Sequence, residues 1–401
     1  VTQRLISFLG LLTMIGLAWL VSENRRKMNL RLILSGVALQ LILALLLIGS
    51  PLREPAFDWA GKLIGGLMDC ARAGANMVFG ADLVTDAHFA FSVLPMIIFF
   101  SSLTAVLFHL RVLQLLVEIM ARIMVWVMDV AGAESLCASA NVLLGMTTAP
   151  LMIQPYLRSM TRSEIMAMMT GGMATAAGST LPAYVAFGAD PGHLLVASVM
   201  SAPASLVIAK IIVPETQDSP TKGTVKVAIG RPDVNILDAA CRGAAEGLKL
   251  ALNVAAMLIA FIALVTLVNW MLAPSGYFLA EPLTLQQIFG WLFSPLAWIM
   301  GVPWKDAHMV GILLGEKTVV NEFVAFETLG KCKELLSPRS FTIATYALCG
   351  FANFGSIAVT IGGIGGLAPQ RRTDFAKYGL RSMIGGTLAG FMTAAIAGML
   401  I

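Results

Sequence analysis

The sequence predicts an all-α membrane protein: eight transmembrane helices, two re-entrant hairpins and interfacial helices, built as an inverted repeat with interrupted helices. Three observations predict it. Over 401 residues the chain is 58% hydrophobic and only 12% charged, about half the roughly 25% charge of a soluble domain. Several apolar segments approach the ~20 residues that a membrane span needs. Polar, Gly- or Pro-marked segments recur at matching places in the two halves of the chain.

Composition also excludes several functions. The net charge of +4 comes from basic residues in short loops and not from one face, so no nucleic-acid partner is indicated. Cys70, Cys137, Cys241, Cys332 and Cys349 have no paired spacing and read as small hydrophobes. His88, His109, His193 and His308 are scattered, which argues against metal catalysis. A membrane enzyme acting on lipid-linked sugars would want paired carboxylates or a metal cluster near the interface, and neither is evident. The chain is therefore expected not to be an enzyme and to carry no organic cofactor.

Taken in order, segment 5–21 is the first span, because it lacks a small-residue cleavage site and runs into Arg25, Arg26 and Lys27. Segments 30–50, 91–110, 193–213, 250–272 and 380–401 are uninterrupted spans. Segments 163–188 and 340–366 are long enough but rich in Gly, Ser, Thr and Asn, which makes eight in all. With that count, every basic cluster falls on one side, the cytoplasmic one. These clusters are Arg25 to Arg31, Arg111 to Arg122, the stretch 214–249 with Lys222, Lys226, Arg231, Arg242 and Lys249, and Arg371 to Lys377. Both termini then fall on the opposite, periplasmic side. Segments 56–79, 111–131 and 236–248 carry charges at helical spacing, such as Glu118 with Arg122, and read as helices along the interface. Reading 111–131 as a ninth span would put the later basic loops outside.

Segments 134–161 and 306–334 each have a polar centre between two half-length apolar arms. A re-entrant hairpin needs this pattern, because its turn leaves backbone groups unpaired at membrane depth. The centres are Gly145-Met146-Thr147-Thr148-Ala149-Pro150 and Gly315-Glu316-Lys317 through Asn321-Glu322-Phe323. The expected organisation is an N-terminal scaffold (1–90), a first repeat (91–213), a cytoplasmic loop with an interfacial helix (214–249) and a second repeat (250–401). The repeats start on opposite sides of the membrane, as in many secondary transporters, whose sites lie at the repeat interface.

Glu322 stands out, since an ionisable group at this depth is costly and usually functional. A carboxylate there can accept two hydrogen bonds from a vicinal diol; the plainer reading is an ion pair with Lys317 or Lys331. In the second interrupted helix, Gly350 and Gly355 let the helix open, and Asn353 and Ser356 share one face. Such residues also join helices in membranes without binding anything. In the first repeat, Gly171 to Thr180 with Asn141 nearby offers hydroxyl, amide and freed carbonyl oxygens, the hard ligands a small cation prefers.

At these residues the sequence resembles the concentrative nucleoside transporter family. The motifs are Gly315-Glu316-Lys317 through Asn321-Glu322-Phe323-Val324-Ala325, Ala347-Leu348-Cys349-Gly350-Phe351-Ala352-Asn353, and on through Ser356 to Gly366-Leu367-Ala368-Pro369. Weaker similarity covers nearly the whole chain. The resemblance implies a homotrimer in the bacterial inner membrane that imports nucleosides by sodium symport with an elevator-type movement. Proton coupling through Glu322, carrying a nucleoside-like solute, is the rival. It also implies that Glu322, Asn353 and Ser356 bind ribose hydroxyls with Phe351 beside them and Asn321 alongside. Asn141, Thr175 and the carbonyls of Leu144 and Ala176 would hold sodium. The first tip departs from the family's Gly-Gln-Thr-Glu-Ala-Pro: Met146 and Thr148 replace an amide and a carboxylate on either side of Thr147, and Thr180 stands where a hydrophobic residue is common. Altered base selectivity is therefore expected.

Overall fold

The computed structural model describes residues 2–51, 53–85, 89–223, 233–277 and 282–401. His88, Lys226 and Arg231 lie outside the described residues. Among those described, the secondary structure is helical, apart from one isolated bridge between Ala131 and Lys222.

The chain runs α1 (Thr2–Leu20), α2 (Leu30–Leu47), α3 (Arg53–Phe79), α4 (Ala81–Thr85), α5 (Phe89–His109) and α6 (Val112–Met128). There follow α7 (Gly132–Leu144), a 3-10 helix (Ala149–Tyr156), α8 (Arg162–Ala174), α9 (Leu181–Ala186) and α10 (Pro191–Ile212). The rest is α11 (Ile236–Leu272), α12 (Leu285–Ile299), α13 (Trp304–Val319), α14 (Glu322–Lys331), α15 (Pro338–Leu348), α16 (Phe354–Leu367) and α17 (Arg372–Leu400). Their starts follow capping chemistry. Asn29, Thr161, Asp190, Asn235, Thr284 and Ser337 each accept a backbone N–H of the following turn.

Six of these helices are long and apolar enough to cross a membrane, and they coincide with the six uninterrupted spans read from the sequence. In α10 and α17, 89% and 78% of the apolar window is buried, against 28% and 17% in the α5 and α11 windows. A helix apolar all round belongs in a core, so α10 and α17 are the central pillars. Helices α5 and α11 pack on each other at the flank, where the Ser102 hydroxyl donates to the Ala240 carbonyl at 2.9 Å.

Some expectations need correction. Segments 236–248 and 250–272 form one continuous helix, α11; Lys249 is accommodated on its surface and neither Pro nor a capping residue stops the chain there. Helices α1 and α2 lie against α17 and α10, whereas α3 lies against α5 as well as α10. Gln40 makes the first contact firm, donating from α2 to the Met200 carbonyl at 2.9 Å. Helix α12 was not anticipated; it meets α13 at a bend of 119°. The second arm of segment 134–161 is a 3-10 helix; Pro155 inside it lacks the N–H that an α-helical bond would use, whereas Pro150 stands in the first turn, where none is needed.

The element order repeats. In each half a flanking helix (α5, α11) leads to a shorter helix (α6, α12), two arms about a polar break, a broken helix and a long pillar. The base of the first two-armed segment is tied to the pillar by buried ions. Lys210 Nζ lies 2.7 Å from Glu134 Oε2 and 3.2 Å from Glu215 Oε2. Glu134 also accepts the Ala131 N–H at 2.9 Å. Glu164, at the start of α8, accepts from the Thr161 N–H at 2.7 Å and the Ser219 hydroxyl at 2.6 Å. A buried charge needs a partner charge and hydrogen bonds, as the Lys210–Glu134 pair has.

Candidate functional site

In the second repeat, two half-helices begin at the same place. Asn321 caps α14, its Oδ1 accepting the Val324 N–H at 3.1 Å, and Glu322 is the first helical residue. Asn353 caps α16, its Oδ1 accepting the Ser356 N–H at 2.8 Å. Across the gap the Asn353 amide donates to Glu322 Oε2 at 2.9 Å, and both side chains are buried. Two helix N-termini thus meet at one carboxylate and line the spot with backbone donors.

Among the described residues, Glu322 has no ion-pair partner. Lys331 is taken by Glu327 at 2.7 Å, and Lys317 donates to the Ala347 carbonyl at 2.7 Å, satisfying the last turn of α15. Phe351 lies in the break before Asn353 and is buried. The opening is at Gly350, whose φ of 150° suits glycine, and not at Gly355, which lies inside the first turn of α16. A Cβ on Gly350 would sit 2.6 Å from the Ala174 carbonyl oxygen, so the second break presses against the end of α8.

In the first repeat it is helix C-termini that converge. Helix α7 ends at Leu144 and α8 at Ala174, with Thr175 as its cap. Gly145 has φ 84°, and a Cβ there would lie 2.7 Å from that of Ala177. The Gly178 N–H donates to the Leu143 carbonyl at 3.2 Å, holding the α8–α9 break against α7. Helix ends leave carbonyls unpaired. Asn141 faces Gly171 and Gly172, fully buried, and its Oδ1 has no hydrogen-bond partner among the described residues. The Thr175 hydroxyl is spent as a donor on the Gly171 carbonyl at 2.9 Å, leaving its oxygen free to accept. An orphaned amide oxygen among carbonyl ends is a donor set that fits a small hard cation, and the negative helix ends add to the attraction.

The tip of the first two-armed segment lies over α16. The Thr360 hydroxyl reaches Met146 Sδ at 3.5 Å, and the Thr147 methyl lies against Gly363. Met146 and Thr148 are half-buried and Thr147 is exposed. Thr180 is buried and donates to the Ala177 carbonyl at 2.8 Å. One turn on, the ring of Tyr184 stacks on Phe326 at 4.4 Å and meets Phe323 edge-on at 5.2 Å. The structure therefore gathers Glu322, Asn353, Ser356 and Phe351 at the N-terminal end of α16 and lays the tip against Thr360 and Gly363 further along the same helix. Asn141 and Thr175 lie across the first break. Sequence reasoning missed Thr360 and Tyr184; the four-residue step from Ser356 to Thr360 was the available signal for the first.

A cleft of about 420 Å³ lies elsewhere, lined by Lys27, Asp129, Glu134, Lys210, Glu215 and Lys222 among others. Its buried charges, Glu134 and Lys210, satisfy one another, so it offers no ligand chemistry comparable to the helix ends.

Comparison with known proteins bears on this arrangement. Profiles described as Na+ dependent nucleoside transporter N-terminus, nucleoside recognition, and Na+ dependent nucleoside transporter C-terminus match residues 9–82, 90–191 and 193–398. The chain is 42% identical to the uncharacterized transporter YutK of Bacillus subtilis, over 98% of each chain. It is 40% identical to the sodium/nucleoside cotransporter 1 of Rattus norvegicus, covering 99% of this chain but 64% of that longer protein. A solved structure of CNTnw in an inward-facing substrate-bound state superposes with a TM-score of 0.93 at 39% identity, over 99% of this chain and 98% of that one.

Proposed function

Since the chain belongs to the concentrative, sodium-dependent nucleoside transporter family, and is a transporter and not an enzyme, we propose that it imports nucleosides by sodium symport. The observation that carries this reading is the opposed helix ends. Two N-termini frame the Glu322–Asn353 pair. Two C-termini frame the orphaned Asn141 oxygen. Donors and a carboxylate on one side suit sugar hydroxyls, and carbonyl ends on the other suit a cation.

In this reading Glu322, Asn353 and Ser356 hold the ribose, with Phe351 and Asn321 alongside. Asn141, Thr175 and the carbonyls of Leu144 and Ala176 hold sodium. Segments 134–161 and 306–334 are re-entrant hairpins, and the two broken helices complete eight spans. The well-buried body built on α10 and α17 is the part that moves in an elevator-type cycle. The exposed flank of α5 and α11 faces lipid and the other copies of a homotrimer in the bacterial inner membrane, with both termini periplasmic. At the base end, Met146, Thr147, Thr148 and Thr180 offer hydroxyls and a thioether, which supports a base preference unlike that of relatives with an amide and a carboxylate there.

Uptake of labelled uridine and adenosine into proteoliposomes, with sodium and proton gradients imposed separately, tests the reading. Accumulation driven by sodium alone is expected. Accumulation driven only by protons would transfer the coupling to Glu322, which has no ion-pair partner among the described residues.

A further inference from the structure

We propose that the Thr360 hydroxyl, backed by the Met146 thioether, receives the base of the bound nucleoside by donating a hydrogen bond to an acceptor atom on its edge. This rests on the nucleoside reading above and adds a residue to it.

The first support is position. Asn353, Ser356 and Thr360 are all buried; Asn353 caps α16, and the other two lie on it at the four-residue spacing that shares a face. Thr360 is one turn, ~6 Å of rise, beyond Ser356. A ligand whose hydroxyls engage Glu322, Asn353 and Ser356 therefore reaches Thr360 with the ring attached to its sugar. The tip of segment 134–161 bounds this place, because Met146 meets Thr360 and Thr147 meets Gly363.

The second support is how the hydroxyl is spent. A threonine inside a helix ordinarily donates to the carbonyl four residues back. Thr175, Thr318, Thr345 and Thr393 do so here, at 2.7 to 2.9 Å. Thr360 instead points away from its own backbone at Met146 Sδ, 3.5 Å off. A thioether is a weak acceptor, so a ring nitrogen or carbonyl oxygen replaces it at a gain. The displaced Met146 side chain is flexible and polarisable, and suits contact with an aromatic ring. The residues that face the base are thus two that the tip motif and the spacing on α16 supply together.

The test compares transport KM for adenosine and its 1-, 3- and 7-deaza analogues, each lacking one ring acceptor, in wild type, Thr360→Val and Thr360→Ser. Uridine and its 2-thio and 4-thio analogues, each with one carbonyl acceptor replaced by weakly accepting sulfur, serve instead if adenosine is not carried. One analogue is expected to lose about five- to tenfold in wild type, the worth of one hydrogen bond. Thr360→Val should lose the same factor on the parent nucleoside and nothing on that analogue. Thr360→Ser should retain the preference, and half-saturating sodium should not change. A flat deaza series in wild type overturns the proposal whether or not the variants fold. So does a Thr360→Val variant that weakens every substrate equally or none. Absence of any nucleoside uptake by wild type would instead defeat the reading it rests on.

Discussion

Asn353 donates its side-chain amide to Glu322 Oε2 at 2.9 Å while its own oxygen caps the helix that follows. One residue therefore positions the carboxylate and starts α16, and the two roles can be separated. Asn353→Ser keeps a capping oxygen and loses the amide; a roughly tenfold rise in nucleoside KM is expected with unchanged thermal stability. Asn353→Ala loses the cap as well, and should cost about 1 kcal/mol of stability besides. Uptake assays paired with thermal unfolding in detergent read both effects.

The Asn141 oxygen and the Thr175 hydroxyl lie among helix C-termini, where a cation gains from carbonyl dipoles. Thr175→Val and Asn141→Leu are each expected to raise half-saturating sodium about tenfold or more, the scale of a hydrogen bond to a charged group. Titrating uptake with sodium at fixed nucleoside reads the shift. An unchanged titration in both variants would remove the cation from this place.

Lys210 is enclosed by Glu134 and Glu215 at the base of the first two-armed segment. Lys210→Met leaves two carboxylates without their cation and should cost about 3–5 kcal/mol. Adding Glu134→Leu should recover part of that loss, because it removes one of the stranded charges. Thermal melts of the two variants decide it, and a double variant less stable than the single one would contradict the pairing.

Gly145 combines a positive φ with a close approach to Ala177. Gly145→Ala is expected to strain the turn by about 1–2 kcal/mol and to shift the tip off α16. Uptake should fall more than the melting temperature does. Wild-type uptake in this variant would show that the tip's placement is not critical.

How much of this was legible in the sequence depended on the kind of signal. The six uninterrupted helices are visible because hydrocarbon demands long apolar runs. The breaks at Thr175–Thr180 and Cys349–Asn353 are visible because Gly, Ser, Thr and Asn interrupt such runs. Helix α12 was not, since a 15-residue apolar helix ending at a 119° bend has neither the length of a span nor the charges of an interfacial helix. Lys249 suggested a boundary where α11 continues, because a single charge on an exposed face does not stop a helix. At the candidate site, Glu322 stood out by its cost in a membrane, and Asn353 by the glycines around it and its spacing to Ser356. Their mutual bond did not, for it joins two chain segments 31 residues apart. Thr360 shares a helix face with Ser356, but its contact with Met146, 214 residues away, leaves no local pattern.

The most direct measurement is sodium-driven uptake of a labelled nucleoside by purified protein in proteoliposomes, wild type beside Glu322→Gln. Wild type is expected to accumulate nucleoside only with an inward sodium gradient. Glu322→Gln keeps the shape but replaces the carboxylate that the two helix N-termini frame, and should lose at least ~10-fold in uptake at low substrate. Normal sodium-driven uptake by Glu322→Gln would contradict the account, because the carboxylate would then not be the anchor for the sugar.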